Sequence, residues 1–138
     1  MYRVHIEQDF SRPVEEIFGH LSAHENLEGV FGAKIKRVKD GDDGNLNGVG
    51  SVRALRVGPP PWFEETVTEF VPNELIKYEI TKGSPLKDHE GVMRFSPTAG
   101  GGTHLDYTIT FDSKVPGLCG VVKAGLDRNI AKGLKKLA

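Results

Sequence analysis

The chain of 138 residues holds one cysteine, Cys119, and one tryptophan, Trp62. A lone cysteine excludes an intramolecular disulfide and fits a reducing compartment, so a cytoplasmic location is expected. An excess of charge is also missing. With 18 basic and 19 acidic residues the formal net charge is −1, which gives no electrostatic reason to expect nucleic acid. No window approaches the roughly 20 apolar residues that span a bilayer, so no stable membrane insertion is expected. The opening MYRVHIEQDF has no basic head followed by an apolar run and does not read as a signal peptide. There is no P-loop, and GVGSVR lacks the last glycine of a dinucleotide fingerprint, so no cofactor is expected. The length suits one domain over residues 1–138, and a chain near this size buries roughly 68–70% of its unfolded surface without a staple.

What is present is periodicity. Tyr2, Val4, Ile6 and Phe10 alternate as in a half-buried strand. Ser11 and Pro13 signal a helix start, and Val14, Ile17, Phe18 and Leu21 recur at helical spacing. A second short turn is expected over Glu25 to Glu28. Strands follow near Ala33–Lys39, Gly48–Val57, Phe63–Val71, Leu75–Thr81, Asp88–Ser96 and Thr103–Asp112. The breaks DGDDGNLNG, VGPPP, VPNE, KGSP and SPTAGGG carry turn chemistry at hairpin spacing, which predicts an antiparallel meander. After Val115 the helical period returns, with Leu118, Cys119, Val122, Leu126, Ile130 and Gly133 on one side. The expected fold class is α+β. A curved seven-stranded antiparallel sheet wraps the long C-terminal helix, and two short helices follow the first strand.

Strand parity nominates the side chains that line the space between sheet and helix. Arg53, Leu55 and Val57 share a side, as do Phe63, Glu65 and Val67, then Tyr78 and Ile80, then His89, Met93 and Phe95. Tyr107 belongs to the clearest inward row, and Cys119, Val122 and Leu126 would face it from the helix. Arg53, Glu65 and His89 would then be polar groups in an apolar chamber. They could fix a ligand's polar end, could act as acid and base (Glu65 and His89), or could form an internal ion pair with bound water. In VGPPPWF, prolines stiffen a hairpin that ends in Trp62, and Pro60 and Trp62 are expected at the rim of the chamber.

Metal ligands are not expected. Asp43–Gly48 reads D-x-N-x-N-G, but its twelfth position is Ala54 and strands flank it, so a polar hairpin loop is expected. His20, His24 and Glu28 are read as solvated surface.

FSRPVEEIFGHL, GVGSVRALRV, FEETVTEFVPNELIKYEI and GVMRFSPTAGGGTHLDYTI, in that order, resemble the START-related superfamily, the polyketide cyclase/dehydrase and lipid-transport group. That group includes the birch-pollen allergen and the plant abscisic acid receptors. The resemblance implies a helix-grip fold with an internal cavity, but no single activity. In the receptors a glutamate matching Glu65 contributes to the polar part of the pocket, and His89 falls near a ligand-lining tyrosine. The Gly58–Trp62 loop matches the position of their gate but lacks its leucine. The expected partner is a hydrophobic small molecule: a lipid, an isoprenoid or an aromatic polyketide-like metabolite. A cyclase/dehydratase-type enzyme and a co-chaperone-like protein-interaction module are the alternatives.

Overall fold

The computed structural model describes residues 1–42, 44–57 and 62–138. One sheet holds seven antiparallel strands: β1 Tyr2–Phe10, β2 Lys34–Lys39, β3 Val52–Arg56, β4 Phe63–Val71, β5 Leu75–Lys82, β6 Leu86–Pro97 and β7 Thr103–Ser113. Their spatial order is β1-β7-β6-β5-β4-β3-β2, a meander whose last strand returns to pair with the first. Between β1 and β2 lie α1 (Val14–Ser22), a 3-10 turn (His24–Leu27) and α2 (Glu28–Phe31). The long helix α3 spans Leu118–Lys135. This is the expected helix-grip architecture.

The period-2 pattern is strictest in β7, where Thr103, Leu105, Tyr107, Ile109 and Phe111 are buried and alternate with half-buried residues. This inward row meets Val4 of β1, Met93 and Phe95 of β6, and Ile130 and Leu134 of α3 in the core. In α1, Ile17, Phe18 and Leu21 are buried, and the Phe18 ring packs edge-on to Phe95 and Phe70 at 5.0 and 5.2 Å. Glu15 and Glu16 occupy its first turn, where the positive end of the helix favours them.

Several elements differ from expectation. β3 is shorter than Gly48–Val57, because residues 48–51 turn instead: the Ser51 amide donates to Gly48 O at 3.0 Å. Val57 lies beyond the strand and is 59% exposed. α3 begins at Leu118, and Val115 is exposed, because Gly117 before it takes a left-handed conformation (φ 79°) that breaks the helical path. Tyr2 is also exposed. Gly133 marks a close approach. A Cβ there would sit 2.5 Å from Gly29 O, so the missing side chain is what lets α3 cross α2 closely.

His24 overturns its expectation of solvation. A 3-10 turn repeats every three residues, so His24 and Leu27 share its inner side, and both are buried. His20 is half-buried, and the Glu28 carboxylate accepts the Ile35 N–H at 2.9 Å, so the three residues do not converge. The turns of the polar β2–β3 loop are closed by backbone hydrogen bonds such as Asp42 N to Val49 O; Asp43 lies outside the described residues.

Candidate functional site

The β3–β4 register sets Arg53 directly opposite Glu65, and both side chains turn inward. Arg53 Nε donates to Glu65 Oε1 at 2.9 Å, and Nη2 lies 2.8 Å from the same oxygen without the alignment a hydrogen bond needs. One guanidinium donor is therefore left unused. The guanidinium carbon stands 4.6 Å from the Tyr78 ring centre and 5.6 Å from that of Phe31. The aromatic faces partly replace the solvent that a buried cation loses.

His89 reaches the same place through a bulge. Lys87 pairs with Asp112 and Glu90 with Thr110, so Asp88 and His89 together oppose Phe111. Asp88 takes a positive φ of 52°, and the parity of β6 flips there, so that Leu86 and His89 both point inward. The His89 side chain is buried, and its Nδ1 accepts the Ile80 N–H at 3.0 Å. Because an amide can only donate, the neutral ring must carry its hydrogen on Nε2, which faces Glu65 Oε2 across 3.9 Å. Burial holds the imidazole pKa below its usual value, and nearby Glu65 only partly opposes this. Protonating Nδ1 would also cost the bond from Ile80.

Tyr78 and Tyr107 complete the cluster with a mutual hydroxyl hydrogen bond. Burial raises the pKa of both phenols, so both keep their protons at neutral pH. Tyr78 lies opposite Gly91 on β6, and a Cβ at that position would fall 2.1 Å from its ring. Only glycine lets the ring lie flat across the next strand.

These groups border a chamber of about 60 Å³ lined by Phe31, Ala33, Leu55, Val57, Phe63, Glu65, Tyr78, His89, Ile109 and Leu126. Its volume suits a few water molecules at most. Of the residues expected from sequence, Leu55, Val57, Phe63, Glu65, Tyr78, His89 and Leu126 meet here, with Arg53 and Tyr107 in contact behind them. Val67, Met93, Phe95 and Cys119 are buried in the packed core rather than on the chamber wall. Val122 and Ile80 are half-buried and are not among its lining residues. The Trp62 ring instead stacks near Lys36 Nζ (4.6 Å) and Arg56 Cζ (5.3 Å), whose parity is opposite to that of Ile35 and Leu55. It therefore sits on the convex side. Pro60, with the rest of 58–61, lies outside the described residues. Sequence reasoning missed Phe31 and Ala33, which flank Gly32 at the left-handed end of α2 (φ 67°). The helix stop at Gly32 was the available signal.

The sequence matches the family described as polyketide cyclase/dehydrase and lipid transport over residues 1–138. The chain belongs to that family. Solved structures share the fold. A START superfamily protein from Mycobacterium smegmatis is 19% identical with a TM-score of 0.79, covering 99% of this chain and 96% of that one. A protein from Thermus thermophilus is 18% identical with a TM-score of 0.75, covering 99% and 94%. The Aha1 protein from Colwellia psychrerythraea, solved as a dimer, is 16% identical with a TM-score of 0.71, covering 99% and 93%. No curated protein matches the chain by sequence. The family is thus set, and at these identities the structural relatives speak for the fold alone. Among the described residues, no helix of this family member is long and apolar enough to cross a membrane.

Proposed function

We propose that the protein binds an apolar small molecule whose oxygen-bearing end reaches the Arg53–Glu65–His89–Tyr78–Tyr107 cluster. The observation that carries this reading is the buried polar cluster itself, set at the end of an otherwise apolar chamber. Its inventory is rich in donors. Arg53 Nη2, His89 Nε2–H and one tyrosine hydroxyl hydrogen are available as donors, against Glu65 Oε2 and the remaining lone pairs of the two hydroxyl oxygens as acceptors. A carbonyl or carboxylate oxygen fits that balance, and an isoprenoid, fatty or polyketide-like body fits the walls.

Ligand pockets are typically about 300–1,000 Å³, so the chamber must enlarge to accept such a molecule. The packing of α3 supports where it gives. Ile130, Gly133 and Leu134 anchor the second half of the helix in the core, whereas only Cys119 is buried in the first half. Nothing lies within 4 Å of a Cβ built on Gly125. Outward movement of the Leu118–Leu126 half would widen the chamber at Leu126 without disturbing the anchor.

The same geometry weighs against acid–base catalysis by His89. Its Nδ1 lone pair is engaged by Ile80 and its Nε2 is protonated, so it has no free base. Glu65 is taken up as the counter-ion of Arg53. The single unpaired Cys119 is the ground for proposing a reducing, cytoplasmic setting.

The test is native mass spectrometry of freshly purified protein, followed by displacement of a solvatochromic dye with a fatty acid, its alcohol and its hydrocarbon. Binding of the acid above the alcohol and hydrocarbon, with the preference lost in Arg53→Met, is the expected result. Dye binding insensitive to all three ligands would end the small-molecule reading and favour a protein-interaction module.

A further inference from the structure

On the convex side of the β1–β7 ladder, His5, Glu7 and Asp9 alternate along β1 and face His104 and Asp106 on β7. The register sets Glu7 directly opposite Asp106 and Asp9 opposite His104. Two carboxylates directly opposed across a ladder weaken it, so this pairing has a cost unless a cation joins them. Imidazoles stand at both ends. His5 Nε2 lies 3.0 Å from Asp106 Oδ1, and His104 Nε2 lies 3.1 Å from Glu7 Oε1. The ligand atoms of His5, Glu7 and Asp106 all fall within 4.8 Å of one another.

His104 is oriented from behind. Its Nδ1 is 2.5 Å from Asp9 Oδ1, and a hydrogen held there leaves the Nε2 lone pair aimed at the Glu7 carboxylate. A lone pair and a carboxylate oxygen repel unless something positive lies between them, either a second proton, which the hydrogen bonds to Asp9 and Glu7 favour, or a metal cation that competes with it. A carboxylate behind an imidazole whose other nitrogen is free is the arrangement that supports metal-bound histidines.

We propose that His5, Glu7, Asp106 and His104 form a binding site for a first-row divalent cation of the zinc type, with Asp9 as the positioning residue for His104. A tetrahedral ion with bonds of about 2.0–2.1 Å needs ligand atoms about 3.4 Å apart, so the His5, Glu7 and Asp106 side chains must close in from within 4.8 Å and His104, outside that group, must rotate furthest. Two nitrogen ligands select against magnesium and calcium, which take oxygen. Arg94 of β6 stands opposite Asp106 in the β6–β7 register. Because β1 is an edge strand, the ion would staple it to β7. Residues 5 and 7 lie about a hundred positions from 104 and 106, so no spacing motif announces the set.

The test is calorimetric titration of the chelator-treated full chain with zinc chloride, alongside histidine-selective NMR. One zinc per chain is expected, with the His5 and His104 imidazole signals shifting and those of His20, His24 and His89 unmoved. His5→Ala and His104→Ala should each weaken binding at least roughly tenfold, Asp9→Asn by roughly 10–100-fold, and His20→Ala not at all. Absence of saturable binding, or zinc shifts confined to other histidines, overturns the site in the wild-type chain even if a variant fails to fold.

Discussion

Arg53 and Glu65 face each other across the β3–β4 ladder and share a single carboxylate oxygen inside the protein, at 2.9 Å from Nε and 2.8 Å from Nη2. Removing one partner strands the other as a buried charge, which typically costs about 3–5 kcal/mol. Arg53→Met alone and Glu65→Leu alone should each lower the urea midpoint strongly. The double variant should recover most of that loss, because two apolar side chains need no compensation. If the double variant is as unstable as the sum of the singles, the pair is not an isolated unit. The preference for an acid over its alcohol and hydrocarbon should be lost in all three.

His89 gives a spectroscopic check of the same site. Its ring nitrogens should show the pattern of a neutral imidazole with hydrogen on Nε2, and that pattern should persist below pH 6.5, because burial holds its pKa down. Nitrogen shifts followed from pH 8 to 5 would show it. A His89 titrating at the usual imidazole value would contradict the buried Ile80 contact.

The second buried histidine governs the response to acid. His24 Nε2 faces Ser51 Oγ at 3.0 Å, and Ser51 already donates to Gly48 O at 2.6 Å, so His24 holds its hydrogen on Nε2. Its Nδ1 has no partner among the described residues. Burial, then Arg53 and Arg37, lower its pKa from 6.5 to about 3, with Glu25 weakly opposing. The unfolded chain therefore binds a proton that the folded chain refuses between those two values. Stability from this group is complete above pH 6.5 and falls as pH drops towards 3, by about 1.4 kcal/mol per pH unit at most. His89 acts with the same sign. Urea midpoints measured from pH 7.5 to 4.5 should decline, and His24→Gln should flatten the slope even if it lowers the plateau.

Two glycines in one helix should respond in opposite directions. Gly133→Ala brings a Cβ to 2.5 Å from Gly29 O and 2.6 Å from Val30 Cα, so either α3 or α2 must move. A loss of about 1–3 kcal/mol is expected, as for other overpacked contacts. Gly125→Ala meets nothing within 4 Å and should gain up to about 1 kcal/mol of helix propensity. Thermal melts of the two variants suffice; equal effects would mean that the α2–α3 crossing is not tight.

The elements, their order and the inward faces of β4, β5 and β7 were legible in the sequence, because periods of 2 and 3.6 record burial residue by residue. Arg53 and Glu65 could be placed on inward faces from parity alone. Their facing one another could not, since register depends on how the hairpin closes, and its turn holds no periodic signal. Tertiary structure decided the rest. Local pattern is blind to the 3-10 turn that buries His24, the bulge at Asp88 that flips β6, and the side of the sheet that Trp62 joins. The size of the chamber depends on how far α3 settles onto the sheet. The convex cluster of His5, Glu7, Asp106 and His104 exists only because the first strand pairs with the last. Periodicity is a property of neighbours along the chain, whereas sites are made by contacts between segments far apart in it.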